Sequence, residues 1–271
     1  MGKNRSVNTF SSVSQKILSG YGRGTGMDYK PWLSGHEFAS KGMYIRMPGR
    51  TIPRIYRFMS RLEADAFIIY DCMDDVQDVL EQYYLTLDET LEIADLLQIR
   101  HPFSGKYYNP LTTDLLILKN GKWIARAVKT SKDLDNHRTI EKLEIERIYF
   151  KRRNIDWKII TEKQLNRHFV QNLQWLWYCE TSEAVFPDTS VANEAESVFH
   201  SLYTENDIPF PMLLDRIESA YSLAPGSGIC IFRSLLRKGI INIDLMKPIN
   251  MADPRHPIER TVPDERYHSY S

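Results

Sequence analysis

Glu63, Asp114 and Lys129 are the residues of this chain whose types and order could do chemistry together. Glu63 falls on a predicted helix, Asp114 opens the apolar run Thr113-Asp114-Leu115-Leu116-Ile117-Leu118, and Lys129 closes Trp123-Ile124-Ala125-Arg126-Ala127-Val128-Lys129. Two carboxylates can hold a hard, oxygen-seeking cation such as Mg²⁺ beside a phosphate, and a lysine can steady an attacking hydroxide or the phosphate's growing charge. That is the chemistry of phosphodiester hydrolysis. Each residue also has a plainer reading. Glu63 suits a helix cap, Asp114 a strand start and Lys129 a solvated strand end, and an acid–lysine spacing alone is a weak motif.

The elements that must position these groups can be read from pattern. Ser60-Arg61-Leu62-Glu63 has the form of a capping box, opening a helix to about Asp71 with Leu62, Ala66, Phe67 and Tyr70 on its apolar face. Val76–Tyr84 reads as a strand, Leu87–Leu97 as a helix, and 112–118 and 122–129 as two strands joined at Asn120-Gly121, a strong hairpin signal. Pairing across that turn sets residues near 114 opposite residues near 127, so the acid and the lysine converge at one end of the sheet. A charged helix over Leu134–Arg153, with Ile140, Leu143, Ile148 and Tyr149 on its apolar face, leads to a short strand, 157–161. The order is helix, three strands, helix, strand. Upstream lie a short predicted helix at 12–20 and a flexible loop, Gly20-Tyr21-Gly22-Arg23-Gly24-Thr25-Gly26.

Charge is unevenly spread although the net formal charge is zero. Residues 1–61 carry eleven Lys and Arg against Asp28 and Glu37, whereas 62–100 carry eleven acids against Arg100. A basic arm interleaved with Tyr21, Tyr29, Trp32, Tyr44 and Tyr56 suits contact with a phosphate backbone, and equally suits docking on the acidic segment behind it. At 271 residues and 42% hydrophobic the chain can build two domains. No run approaches the roughly 18 apolar residues of a membrane span, and the polar start lacks the apolar run of a secretory signal. Cys72, Cys179 and Cys230 form no C-x-x-C pair, so neither zinc nor a disulfide framework is indicated.

Beyond about residue 165 the composition shifts. A helix carrying Phe169, Leu173, Trp175 and Trp177 leads to a unit read as helix Pro211–Tyr221, helix Gly226–Lys238 and strand Ile240–Leu245, an order that fits a winged helix. Arg233, Arg237 and Lys238 could face phosphate or complement a helix C-terminus. The tail after Pro248 is expected to lie extended. The division is thus 1–165 and 166–271, the second domain mainly helical.

The first domain's order resembles the αβββαβ restriction-endonuclease-like core of the PD-(D/E)XK nucleases, with an N-terminal extension. More specifically, the chain resembles the TnsA family of transposon endonucleases. The resemblance is carried by Gly22-Arg23-Gly24-x-Gly26, Asp28-Tyr29-x-Pro31-Trp32-Leu33, Leu62-Glu63-x-x-x-Phe67, Glu81-Gln82-Tyr83, Thr113-Asp114, Val128-Lys129, and Arg138-Thr139-x-Glu141-Lys142-Leu143-Glu144-x-Glu146-Arg147. It implies Mg²⁺-dependent cleavage of double-stranded DNA at the 5′ ends of a transposon, with Mn²⁺ able to substitute. The partners it implies are a TnsB-like transposase and a TnsC-like AAA+ ATPase regulator, and the setting bacterial cytoplasm, at the nucleoid when active. Carried over residue by residue, it makes Glu63, Asp114 and Lys129 catalytic, with Glu63, Asp114 and the Val128 carbonyl as metal ligands, and makes the C-terminal domain a winged-helix-like partner-binding module. One position departs: two before the lysine, where this nuclease class usually has Glu or Gln, stands Ala127. Glu63, Asp114, Val128 and waters then suffice for the cation, or an acid from the 134–153 helix, foremost Glu146, approaches it. Otherwise the chain is a catalytically impaired scaffold for the transposase partners. A stand-alone nuclease of repair or defence would instead cut without partners.

Overall fold

The computed structural model describes residues 10–33, 44–105, 107–186, 188–205 and 208–254. Residue contacts divide the chain into two units, 1–165 and 166–271.

In the first unit, helix α1 (Phe10–Leu18) is followed by a turn-rich segment and a hairpin, β1 (Ile45–Pro48) with β2 (Ile55–Phe58). Then come α2 (Arg61–Asp71), β3 (Val76–Tyr84), α3 (Leu87–Leu96), a small hairpin of β4 (Phe103–Ser104) and β5 (Tyr107–Tyr108), β6 (Thr112–Lys119), β7 (Lys122–Val128), α4 (His137–Lys151) and β8 (Asp156–Ile160). The main sheet runs β3-β6-β7-β8, antiparallel except for the parallel pair β7 and β8, which α4 connects. A mixed α/β unit results. Leu80, Leu116 and Ala125 of the sheet share one core with Ile93 and Ala94 of α3 and Ile145, Tyr149 and Phe150 of α4.

Local chemistry explains the elements near the site. Ser60 caps α2 by accepting the Glu63 N–H at 3.1 Å, satisfying one of the donors a helix start leaves orphaned. Residues Asn120 and Gly121 take φ of 49° and 71°, the left-handed pair that a tight two-residue hairpin needs. The hairpin sets Leu115 opposite Arg126 as expected.

Several expectations change. The long helix at 134–153 is two elements: a 3₁₀ turn over Ser131–Asp135, boxed by Thr130 and Asp133, and then α4. Asn136 separates them because its side chain accepts the Arg138 and Thr139 N–H groups and starts a fresh helix. Of the apolar face proposed for it, Ile140 is exposed, and Ile145 and Phe150 are buried instead. Helix α2 is buried on nearly every side rather than along one stripe, because Tyr56 and Phe58 of the β1–β2 hairpin pack tilted against Phe67, ring centres 4.3 and 4.9 Å apart.

The glycine-rich loop is held rather than free. Gly22 N–H reaches the Lys30 carbonyl, Gly26 N–H reaches Asp78 Oδ2 at 2.7 Å, and Trp32 N–H reaches the Gln82 carbonyl at 3.2 Å. Arg54 inserts Nη1 and Nη2 against the Glu81 carboxylate and sends Nη2 to the Val79 carbonyl at 2.8 Å. Arg50 binds Asp71 and Asp74. Tyr29, Trp32 and Tyr56 are buried. Of the two readings of the basic arm, docking on the acidic segment is what these residues do. Lys3, Arg5 and Lys41 lie outside the described residues.

The second unit is helical: α5 (Arg167–Trp177), α6 (Ser182–Val185), α7 (Thr189–Glu205), α8 (Phe210–Ala220) and α9 (Gly228–Arg237), around Phe169, Phe199, Phe210 and Phe232. The strand expected at Ile240–Leu245, which would begin a wing, is not formed. Ile241, Ile243 and Leu245 are buried in alternation, but the segment pairs with no strand; the Leu245 and Lys247 carbonyls instead accept from the Asn172 amide at 2.8 and 2.7 Å. Alternation here reflects packing on helices, not a ladder. Arg237 donates to the Leu176 and Cys179 carbonyls, Arg233 to the Glu180 carbonyl, and Lys238 pairs with Glu196 at 2.6 Å, so all three work inside the unit. Residues 255–271 of the expected extended tail lie outside the described residues. No helix among the described residues is long and apolar enough to cross a membrane.

Candidate active site

Asp114 sits two residues from the tip of β6 that lies farthest from the Asn-Gly turn, between the pairs Tyr83–Thr113 and Glu81–Leu115. Its Oδ2 accepts the Val128 N–H at 2.6 Å and the Lys129 ammonium at 2.6 Å. The same ammonium donates to the Val128 carbonyl at 2.9 Å. Lys129 is thus locked by two oxygens that belong to different strands. It leaves β7 one residue after the last strand position, its N–H held by the Ile160 carbonyl of β8.

Glu63 comes from the first turn of α2. Its carboxylate accepts the Met59 N–H at 3.0 Å and the Ser60 hydroxyl at 2.9 Å, so it does cap the helix, although through Met59 rather than the Ser60 amide. The capping role does not exclude the other one. A single side chain, Gln82, donates to Glu63 Oε2 at 3.1 Å and to Asp114 Oδ1 at 3.4 Å, and so ties the two acids together. Glu63, Asp114 and Gln82 are each less than a tenth exposed.

A fourth charged group faces the cluster. Glu146, on α4, is buried and accepts the Trp157 indole N–H at 2.9 Å. Burial and the charge of Asp114 push its carboxyl up to about 7, against the pull of Lys129. Burial and the same Asp114 charge also push Glu63 up to about 7, against the hydrogen bonds from Met59 and Ser60. Burial opposes the charge on Lys129, yet Asp114, Glu146 and Glu63 outweigh it and hold the ammonium above its ordinary value. The three acids therefore crowd one cation, the arrangement that shifts protonation at reacting centres.

The residues present fit a divalent cation. Asp114 Oδ2 and the Val128 carbonyl converge on one positive atom already, the Lys129 ammonium, and the remaining donors are hard carboxylate oxygens of the kind Mg²⁺ takes. Ala127 is wholly buried and adds no ligand. No group of three or more His, Cys, Asp or Glu is close enough among the described residues to hold a metal by side chains alone, so a backbone carbonyl and waters would complete the shell.

All three residues singled out by spacing meet here. The part played by Gln82 carries no signal of its own in the sequence, because Val76–Tyr84 also holds Gln77, Asp78 and Glu81.

Comparison with known proteins places the chain in a family. A family model described as TnsA-like endonuclease N terminal matches residues 73–162, and one described as TnsA endonuclease C terminal matches 164–245. The two matches meet where the contact map divides the chain. The chain is also 30% identical over 238 residues, covering 87% of it and 86% of the relative, to the Transposon Tn7 transposition protein TnsA of Escherichia coli. Matched by both halves of the family and by a relative along nearly its whole length, the chain belongs to the TnsA endonuclease family.

Proposed function

We propose that this protein is a Mg²⁺-dependent DNA endonuclease that cuts at the 5′ ends of a transposon during cut-and-paste transposition, acting with a TnsB-like transposase and a TnsC-like ATPase. The observation that carries this reading is the convergence of Glu63, Asp114, the Val128 carbonyl and Lys129, from α2, β6 and the end of β7, on one buried polar cluster. In this reading the first unit is a restriction-endonuclease-like core and the second a partner-binding module.

Glu63, Asp114 and Val128 O would hold the cation, which when bound polarises the phosphoryl oxygen and makes water a competent nucleophile near neutral pH. Mn²⁺, also an oxygen-preferring ion, substitutes. Lys129 supplies a fixed positive charge, aimed by Asp114 and Val128, for the charge that develops on the phosphate. Gln82, Met59 N–H and Ser60 keep Glu63 oriented. Glu146, buried on α4, adds to the charges that favour the ammonium form of Lys129.

The test is strand cutting of a transposon-end DNA by the full-length chain with both partners and Mg²⁺. Asp114→Asn and Lys129→Ala should each lose about 10²-fold or more of 5′ cutting, while still co-purifying with the partners. Unchanged cutting by either variant would refute the assignment. Wild-type protein that binds the partners but never cuts would favour the scaffold reading, and cutting with no partner present would favour a stand-alone nuclease.

A further inference from the structure

Gln82 lies within β3, the edge strand of the main sheet, yet its φ is 50°. That left-handed conformation strains a non-glycine residue and persists only where the surroundings enforce it. Pairing does not end there: Glu81 faces Leu115 on one side and Tyr83 faces Thr113 on the other. The residue is 3% exposed and its polar atoms are engaged. Its amide nitrogen donates to Glu63 Oε2 and Asp114 Oδ1, its side-chain oxygen accepts the Thr112 hydroxyl at 3.0 Å, and its carbonyl accepts the Trp32 N–H. Trp32 is itself pinned, stacked on Tyr84 at 4.4 Å with the Lys16 ammonium 4.8 Å from its ring centre. Gly22, whose φ is 67°, packs so tightly that a Cβ there would stand 2.4 Å from Tyr84 Cβ.

The chemistry of the carboxamide matters. Two buried carboxylates repel, and a donor between them lowers that repulsion. A lysine in this place would compete with a cation and a glutamate would add a third negative charge, whereas an amide donates to both acids and carries no charge.

We infer that Gln82 is a positioning residue of the cation site, its left-handed backbone held by Trp32 of the N-terminal arm so that one carboxamide fixes Glu63 and Asp114 relative to each other. The inference rests on the proposed reading of those two acids as cation ligands. It also gives the glycine-rich arm a purpose at a distance: the arm supports the strand segment that sets the spacing of the acids.

The test is calorimetric titration of the full-length protein with Mn²⁺, using wild type, Gln82→Gly and Asp114→Asn. Glycine accepts the left-handed backbone freely while removing the whole side chain, carboxamide included, so Gln82→Gly should still fold. Its Mn²⁺ Kd should rise about 10-fold, the scale on which residues orienting metal ligands act. The Mn²⁺ concentration for half-maximal strand cutting should rise by the same factor, with the rate at saturating Mn²⁺ within about 2-fold of wild type. Gln82→Asn, which also tolerates the backbone and whose amide is one methylene short, carries the same expectation should the glycine variant not fold. Wild-type Mn²⁺ affinity in both variants would overturn the inference. Wild-type protein that binds no Mn²⁺, or Asp114→Asn that binds it normally, would instead overturn the cation-site reading itself.

Discussion

The Lys129 ammonium lies 2.6 Å from Asp114 Oδ2, on the oxygen that also takes the Val128 N–H. One carboxylate oxygen thereby fixes both the direction of the lysine and the end of β7 that carries the Val128 carbonyl. Around this pair, Glu63 and Glu146 are two further acids whose protons are held up to about pH 7.

Cation binding and strand cutting should accordingly increase with pH, with a midpoint near 7, since a protonated Glu63 is a poor ligand. The sign for stability is opposite. Folding raises these carboxyls above their ordinary values, so the folded chain keeps protons that the unfolded chain has released. Metal-free stability is therefore fullest below the ordinary carboxylate value and declines as pH climbs to about 7. Thermal melts of the metal-free protein should give a Tm several degrees lower at pH 8 than at pH 6, on a scale of about 2–4 °C per kcal/mol. Mg²⁺ should raise Tm more at pH 8 than at pH 6. A Tm that is flat or rises from pH 6 to 8 would contradict the charge crowding described here.

Glu146 is a further buried acid whose carboxyl feels the charges of Asp114 and Lys129, in a site to which Ala127 brings no carboxylate. Glu146→Gln keeps the shape and a carbonyl acceptor for the Trp157 indole while removing the charge that helps hold Lys129. We expect cutting to fall about 10-fold, with Mn²⁺ affinity changed by less than Asp114→Asn changes it. Rates equal to wild type would show that Glu146 is packing only.

Arg54 and Glu81 form a buried ion pair, 7% and 0% exposed at their side chains, with a contact of 2.5 Å. Arg54→Ala leaves a buried carboxylate uncompensated, and should cost about 3–5 kcal/mol in urea unfolding. The double variant Arg54→Met with Glu81→Leu should recover most of that loss, because removing both charges also removes their desolvation. A single variant costing under about 1 kcal/mol would mean that the arm does not depend on this pair.

Much of this was legible in the order of residues. The Asn120-Gly121 turn fixes the register of β6 and β7, and register alone brings Asp114 beside the strand end that carries Lys129. The Ser60 cap likewise places Glu63 in the first turn of α2. What resisted was non-local. The β1–β2 hairpin, β4–β5 and helices α6 and α7 are short or weakly patterned, and the left-handed Gln82 is imposed by Trp32 fifty residues upstream rather than by its neighbours. Ile240–Leu245 shows the opposite error, an alternation that belongs to helix packing read as a strand. The basic arm left two readings open, since charge runs say which segments attract each other without saying which partner wins.

The acceptors of β3 at Val79, Glu81 and Gln82 are all occupied by the arm, through Arg54, Tyr29 and Trp32. Clipping that arm with a protease would strip a sheet margin of its cover and expose a template for strand addition from neighbouring molecules. The cover that Tyr29, Trp32 and Arg54 give β3 is thus also a safeguard against self-association.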